Sequence, residues 1–147
     1  TGWKTEVTEG NKISLDRTTS RVLNHFNTEK ERRTVTGEKS LNITDNVDFK
    51  RKIYQVITSS SYVKLKDGYY TLSAMIKNGK GFNKLNMYAV SGGKTYTYNA
   101  AAEYASWSKI ILKNIHITNG KVEIGFVAEG NANAFCYIDD VSLVRPE

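Results

Sequence analysis

The feature that most constrains the fold of this 147-residue chain is a repeated alternation of apolar and polar residues over short segments. Successive side chains of a β-strand point to opposite faces, so such alternation is typical of strands with one buried face. The 3.6-residue period of an amphipathic helix is nowhere sustained. The strands that this pattern predicts are 12–17, 33–36, 39–44, 52–59, 69–77, 84–90, 94–98, 107–113, 121–128 and 135–144.

This series of short strands predicts an all-β fold, a β-sandwich jelly roll of two antiparallel sheets. Turn-forming residues separate the strands, and the stretch 99–104 is interpreted as a loop. No Gly/Ser/Pro-rich linker interrupts the sequence, so we expect residues 1–147 to form a single domain. The chain begins at Thr1 without an initiator Met, and we interpret it as a domain excised from a longer polypeptide.

Period-two alternation also predicts which side chains face the core. The predicted inward set is Tyr70, Leu72, Ala74 and Ile76, then Leu85, Met87 and Ala89, then Val122, Ile124, Phe126 and Ala128. Asn86 and Tyr88 alternate with members of this set and are predicted to face outwards. An outward aromatic side chain needs an explanation more than a buried one does, so Tyr88 becomes a candidate binding residue. The single cysteine, Cys136, is expected to be a small buried core residue.

The net charge of +6 raises the question of nucleic-acid binding, but the pattern of charge argues against it. The 21 Lys and Arg residues are scattered among 15 Asp and Glu residues. Nucleic-acid binders concentrate their basic residues on one face and carry a recognisable motif, and the sequence has neither feature. Solvated surface charge is the better interpretation.

The residues that catalysis would need are also missing from the sequence pattern. His25 and His116 have no neighbours that indicate a catalytic triad or a zinc site, and His116 is predicted to be a solvent-facing strand residue. Asp139 and Asp140 are adjacent in a predicted strand and are expected to point to opposite faces. They therefore cannot flank one glycosidic bond as an acid and base pair, and we expect a binding domain and not an enzyme.

Nine Tyr and two Trp residues in a polar all-β chain indicate one kind of binding in particular. Sugars present flat patches of C–H groups and a rim of hydroxyls, so their binders combine aromatic rings with polar side chains. Tyr88, Tyr96 and Tyr98 lie near Asn86 and Asn99 in the sequence, which is that composition. The alternative is that these tyrosines are ordinary strand residues whose hydroxyls reach water.

An ordered series of short motifs resembles carbohydrate-binding modules of the jelly-roll superfamily, over residues 37–145. More narrowly, the chain resembles carbohydrate-binding module family 61, whose members are appended to secreted bacterial endo-β-1,4-galactanases and bind β-1,4-galactan. The motifs are Gly37-x-x-Ser40-Leu41, Ile53-Tyr-Gln-Val56, Asp67-Gly-Tyr-Tyr-Thr-Leu-Ser-Ala74, Trp107-x-x-Ile110, Ile117-Thr-Asn-Gly-Lys-Val-Glu-Ile-Gly-Phe126 and Ile138-Asp-Asp-Val-Ser-Leu143.

The resemblance implies a non-catalytic module that targets a covalently linked hydrolase, an endo-β-1,4-galactanase, to galactan in plant cell walls. It further implies a secreted, extracellular bacterial protein that is monomeric and binds neither nucleic acid nor membranes. Two alternatives stay open. One is a module of the same fold that binds xylan or β-glucan, and the other is an adhesion or enzyme-packing domain without a sugar site.

The resemblance also implies a structural calcium ion, with the Asp140 carboxylate and backbone oxygens around Gly37 and Lys39 as ligands. Mixed carboxylate and carbonyl oxygens suit calcium. The chain lacks the Asn-Pro-Gly-Phe-Glu-like stretch that precedes Gly2-Trp3 in relatives and that could supply a ligand. The alternative to calcium is that Asp140 accepts hydrogen bonds from the backbone or from Lys or Arg side chains.

Ligands of such modules lie on the concave sheet or in loops at the sandwich edge, and we choose the sugar-binding candidates by their expected position there. Trp107 is expected to be structural. Gln55 has the alternative of satisfying a sheet-edge amide, and Arg51 has the alternative of simple solubility. The candidates are Tyr88, Tyr98, Tyr96, Tyr137, Asn86, Arg33, Gln55, Arg51, Glu129 and Trp3.

Overall fold

The computed structural model describes residues 4–10, 41–60, 65–102 and 104–145. These residues form two antiparallel β-sheets. The five-stranded sheet has the order β1-β3-β8-β5-β6, and the four-stranded sheet has the order β2-β9-β4-β7. Among the described residues no helix is long and apolar enough to cross a membrane. The strands are β1 (Lys4–Glu9), β2 (Leu41–Thr44), β3 (Phe49–Thr58), β4 (Gly68–Asn78), β5 (Phe82–Ser91), β6 (Lys94–Asn99), β7 (Tyr104–Ile117), β8 (Lys121–Gly130) and β9 (Phe135–Val144).

The order of the strands confirms the predicted sandwich. From β2 to β9 the chain passes to the other sheet at every connection except the β5–β6 hairpin, so both sheets are built from alternating parts of the sequence. The strand β1 was not among the predicted strands, and β7 begins three residues earlier and ends four residues later than the predicted 107–113. The predicted strands 12–17 and 33–36 lie outside the described residues.

A tight two-residue turn fixes the register of β5 and β6. Ser91 pairs with Lys94, and both residues of the loop between them, Gly92 and Gly93, have positive φ angles of 59° and 74°. Such left-handed conformations at both positions define the hairpin turn whose twist matches that of the flanking strands. Glycine fits there because it lacks a Cβ atom. This turn fixes the β5–β6 register, which in turn decides which β6 side chains face outwards.

The core lies between the sheets and contains the residues that alternation predicts. All eleven side chains of the predicted inward set are buried, and Leu85, Met87 and Ala89 have no exposed surface. Cys136 is also fully buried, and its burial raises the pKa of the thiol, so the side chain behaves as an apolar core residue.

Arg51 lies on the interior side of β3 and not at the surface, where a sugar ligand would be found. Its guanidinium donates hydrogen bonds of 2.7 Å to the backbone carbonyl of Thr44 and to the carboxylate of Asp45. The side chains of Arg51 and Asp45 are only 2% and 3% exposed. Since Phe49 and Ile53 on the same side of β3 are buried as well, Arg51 fastens the β2–β3 connection to the core.

The aspartate pair of β9 has a geometry that the alternation rule did not predict. Ser73 and Met75 of β4 pair with Ser142 and Asp139 of β9, so β9 contains one extra residue, a β-bulge. Asp140 lies in this bulge with φ 50° and is exposed, and its amide donates a hydrogen bond of 2.9 Å to the Asp139 carboxylate. The bulge resets the alternation, and neither aspartate faces the core. The expectation that the two point to opposite faces is therefore wrong.

Candidate functional site

The outer face of the five-stranded sheet collects aromatic and polar side chains in neighbouring rows. Strand pairing places Tyr54, Gly125 and Tyr88 side by side across β3, β8 and β5. In the next row Lys52 and Asn86 flank Val127 in the same way. Residues directly opposite each other in an antiparallel pair share a face, so these side chains project to the same side. We call this surface the five-stranded face, and its members are Lys52, Tyr54, Asn86, Tyr88 and Glu123.

Gly125 is the residue that lets the two tyrosine strands come together. A Cβ atom added to it would lie 2.8 Å from the Cα and 2.9 Å from the Cβ of Tyr54. Both distances are shorter than any ordinary contact between carbon atoms. A side chain at position 125 would therefore force β8 away from β3 at the centre of the five-stranded face.

Glu123 forms the polar centre of this face. The Tyr88 hydroxyl donates a hydrogen bond of 2.5 Å to its carboxylate, and the Lys52 amino group lies 3.0 Å from the same oxygen. The side chains of Lys52 and Glu123 are 35% and 26% exposed, so the ion pair is partly shielded but still meets solvent.

The contacts of Glu123 determine its charge state. Partial burial raises the pKa of the carboxyl group, but the hydrogen bonds from Tyr88 and Lys52 outweigh this effect and leave the pKa below its ordinary value. Burial and the hydrogen bond to Glu123 both raise the pKa of Tyr88, so its hydroxyl keeps the proton that it donates. At neutral pH the face therefore presents a fixed carboxylate whose spare lone pairs can accept further hydrogen bonds.

Tyr54 supplies the ring of this face. Its side chain is half-buried, and the Lys52 amino group lies 4.7 Å from the ring centroid of Tyr54 and 5.8 Å from that of Tyr88. Both distances lie within the range of cation–π attraction. Lys52 thus lies against both rings and contacts Glu123, which orders the donor and the acceptor beside an apolar ring.

Tyr88 faces outwards as predicted, yet only 5% of it is exposed. A ring so well covered cannot serve as a stacking platform, and its hydroxyl orients Glu123 instead. The sequence analysis missed Tyr54, Lys52 and Glu123 as members of a site. Alternation within β3 was the available signal, since Lys52 and Tyr54 alternate with the buried Arg51 and Ile53.

Tyr96 and Tyr98 do not share the face of Tyr88. The β5–β6 register pairs Tyr88 with Thr97, so the residues on either side of Thr97 point towards the interior. Both tyrosines are partly buried against the core. The group of three tyrosines that sequence proximity suggested is therefore divided between two sides of the sheet.

The remaining sugar-binding candidates are distributed over several places. Asn86 and Glu129 lie on the same outer side as Tyr54, with Glu129 between Lys50 and Lys84. Gln55 pairs with Ile124, which faces the core, so Gln55 points inwards. Tyr137 lies on the outer side of the four-stranded sheet, where its ring is 5.7 Å from that of Phe135. Candidates Trp3 and Arg33 lie outside the described residues.

The described residues support only part of the calcium site expected at Asp140. The carboxylate is exposed, and β2 begins at Leu41, paired with Ile138 two residues before Asp140. This pairing brings the start of β2 close to the aspartate. Gly37 and Lys39 lie outside the described residues, and within the described part of the chain no group of three or more His, Cys, Asp or Glu side chains could hold a metal ion. The described residues alone therefore do not complete such a site.

Comparison with known proteins shows what fold the chain has. No protein-family model matches the sequence, and no curated protein matches it at a significant level. The structure of TmCBM61 in complex with β-1,4-galactotriose is similar, with 21% identity, a TM-score of 0.71 and coverage of 98% of this chain and 88% of that one.

Two other solved structures share the fold. A family 35 carbohydrate-binding module from Cellvibrio japonicus Abf62 has 20% identity and a TM-score of 0.54, and it covers 88% of this chain and 85% of that one. The enzymatically active domain of bacteriophage CBA120 tailspike protein 4 has 11% identity and a TM-score of 0.61, and covers 97% of this chain but 19% of that one. These likenesses confirm the jelly-roll fold that the resemblance predicted.

Proposed function

We propose that the chain is a non-catalytic carbohydrate-binding module whose ligand lies on the five-stranded face. The observation that carries this proposal is the half-buried Tyr54 ring beside the Lys52–Glu123–Tyr88 network. An apolar ring next to ordered donors and acceptors matches a sugar, which presents a C–H face and a rim of hydroxyls.

Each side chain has a distinct part in the proposed binding. The Tyr54 ring packs against the apolar face of a pyranose, and the Glu123 carboxylate accepts hydrogen bonds from its hydroxyls. Lys52 donates to a sugar oxygen, and the Asn86 amide both donates and accepts. Tyr88 and Lys52 hold Glu123 in place before the ligand arrives, so little ordering is required of the protein on binding.

The ligand that we propose is β-1,4-galactan. The likeness to the galactotriose-bound TmCBM61 supports this choice. Galactose differs from glucose by an axial 4-hydroxyl, and a site built to bond that hydroxyl leaves a polar group unpaired when the epimer binds. For an isolated module we expect a dissociation constant on the order of micromolar to millimolar.

The biological setting is part of the same proposal. We propose a single domain linked to a secreted bacterial endo-β-1,4-galactanase, which it holds on plant cell-wall galactan as a monomer. Tethering raises the concentration of substrate around the enzyme without any new contact. A structural calcium ion on Asp140, with oxygens from residues 37 to 39, would brace the start of β2 against β9.

Affinity electrophoresis with a Tyr54 series tests the proposal. We expect galactan in the gel to retard the wild-type module, and xylan and mixed-linkage glucan to leave it unretarded. Tyr54→Ala should weaken the affinity for galactan, as obtained from the retardation, about tenfold, since stacking on an aromatic ring contributes on the order of 1 kcal/mol or more. Tyr54→Phe is the matched control, because it keeps the ring and should stay close to wild type. Equal mobility with and without galactan, or unchanged retardation of Tyr54→Ala, would contradict the proposal.

A further inference from the structure

A second aromatic cluster lies on the other sheet and takes no part in the five-stranded face. Tyr69 of β4 pairs directly with His116 of β7, and their rings stack with centroids 4.8 Å apart and an angle of 20° between the planes. Tyr69 is 59% exposed, the highest value among the exposed large apolar and aromatic side chains of the described residues. The pair is thus an ordered ring surface that the protein leaves in contact with water.

One side chain of the neighbouring sheet reaches the backbone of His116, and a second lies against that side chain. β7 is an edge strand, and the backbone N–H of His116 donates a hydrogen bond of 3.3 Å to the hydroxyl of Tyr96 in β6. The amino group of Lys94 lies 5.3 Å from the centroid of the Tyr96 ring. The hydroxyl of Tyr96 and the amino group of Lys94 can each donate to a ligand at this edge.

The packing of the core does not account for Tyr69. Its neighbours Gly68 and Tyr70 begin β4, and Tyr70 is the one that faces inwards, with its hydroxyl bonded to the carbonyl of Lys66. An exposed ring that is already ordered by stacking can bind a flat apolar surface at a small entropic cost. Ordered rings with hydroxyl, imidazole and amino groups around them resemble the five-stranded face in chemistry, although no carboxylate stands among the four side chains.

We infer that Tyr69, His116, Tyr96 and Lys94 form a second carbohydrate-binding site, which we call the edge site. It takes one neutral pyranose unit of the same polysaccharide, packed against the stacked rings, with its hydroxyls bonded to His116, Tyr96 and Lys94. The ligand class rests on the proposed function, whereas the existence of a site rests on the ring pair itself. Because the Tyr69–His116 ring pair lies on the other sheet from Tyr54, one module engages two stretches of polysaccharide.

Two sites on one rigid domain have a consequence for binding to insoluble material. When one site is occupied, the second meets neighbouring chains at a high effective concentration, so the overall affinity exceeds that of either site. A short oligosaccharide cannot gain in this way, because it occupies the sites independently. The edge site therefore matters more on fibrous galactan than in solution with a tetrasaccharide.

Residue-resolved NMR titration with β-1,4-galactotetraose tests the inference. We expect two groups of amide signals to shift, one around Tyr54 and Glu123 and the other around Tyr69 and His116. Tyr69→Ala should abolish the second group or weaken its apparent affinity at least tenfold, and Tyr69→Phe should keep it. Tyr54→Ala should weaken the apparent affinity of the first group about tenfold and leave the second unchanged, which would show that the second is not a relayed effect of the first.

The outcomes separate the edge site from the proposed function. If signals move around Tyr54 alone, the edge site is refuted and the proposed function stands. If signals move around Tyr69 alone, the edge site stands and the five-stranded face is refuted as the main site. If neither group moves, both are refuted for galactan. On insoluble galactan, Tyr69→Ala should reduce the bound fraction at least threefold, and an unchanged bound fraction would contradict a second site.

Discussion

The five-stranded face and the edge site place tyrosines at the surface in two different ways. Tyr88 is 5% exposed and its hydroxyl is bonded to Glu123, whereas Tyr69 is 59% exposed and stacks on His116. The first tyrosine orients a carboxylate, and the second offers a ring. An outward position in a strand therefore does not by itself make a tyrosine a binding platform, because its exposure and the partner of its hydroxyl decide its role.

The same contrast divides two adjacent residues of β3. Arg51 points into the sandwich and pairs with Asp45, while Lys52 points outwards and pairs with Glu123. Both are ion pairs between β3 and another segment, but one is buried and the other is half-exposed. Burial makes the first a structural element and leaves the second able to meet a ligand.

The largest expected effect is on stability and comes from breaking the buried ion pair between Arg51 and Asp45. Arg51→Ala leaves the Asp45 carboxylate buried without its guanidinium partner, which should cost about 3–5 kcal/mol of unfolding free energy. Lys52→Ala, the neighbouring control, should cost less than about 1 kcal/mol, because an exposed pair contributes little. Denaturant unfolding of both variants measures the difference. Equal losses would mean that burial does not distinguish the two pairs.

A smaller effect, on sugar affinity, should show whether Tyr88 acts by orienting Glu123 or contacts the sugar by itself. In a Tyr69→Ala background, which leaves one site to titrate, Glu123→Gln should weaken galactotetraose binding about tenfold, since hydrogen bonds to charged groups contribute roughly 1.5–3 kcal/mol. Tyr88→Phe should act in the same direction by freeing the carboxylate.

The double variant supplies the control for this prediction. If Tyr88 acts through Glu123, Glu123→Gln with Tyr88→Phe should bind no more weakly than Glu123→Gln alone, as measured by calorimetry. Strictly additive losses would show that Tyr88 contacts the sugar by itself, and the contrast with Tyr69 would fail.

The smallest expected effect is the pH dependence of stability at Glu123. Its pKa in the folded protein lies below the ordinary value of 4.5, so the folded state favours the ionised form. The resulting stabilisation is present above pH 4.5 and is lost as the pH falls through the lower folded-state pKa. Wild type should therefore exceed Glu123→Gln in unfolding free energy at pH 7, by less than about 1 kcal/mol.

The difference in unfolding free energy between wild type and Glu123→Gln should narrow as the pH is lowered below 4.5. Denaturant unfolding at a series of pH values measures it for wild type and Glu123→Gln side by side. A margin that is constant with pH, or that grows in acid, would show that the contacts with Tyr88 and Lys52 do not favour the carboxylate.

Alternation in the sequence was sufficient to predict the sandwich and its core. It identified the buried sides of β4, β5 and β8 because each strand is regular over the predicted segment. It failed at Asp140, since a single inserted residue in β9 resets the faces and nothing in the local sequence requires the bulge. Periodicity within a strand carries no information about register shifts between strands.

The candidate site was only partly predictable for a related reason. Asn86 and Tyr88 were assigned to the correct side, but grouping Tyr96 and Tyr98 with them relied on nearness in sequence. Which side of β6 faces outwards depends on its register with β5, set by the two-residue turn. Tyr54 is far from Tyr88 in sequence and adjoins it only through β8, so the site required the sheet order to become visible.

A crystal structure of the module soaked with β-1,4-galactotetraose is the most direct test of the central claim that the five-stranded face binds sugar. We predict a galactose ring packed on Tyr54, with a hydroxyl within hydrogen-bond distance of the Glu123 carboxylate and Tyr88 still bonded to that carboxylate. Sugar bound elsewhere on the module, with the five-stranded face left unoccupied at saturating oligosaccharide, would contradict the account.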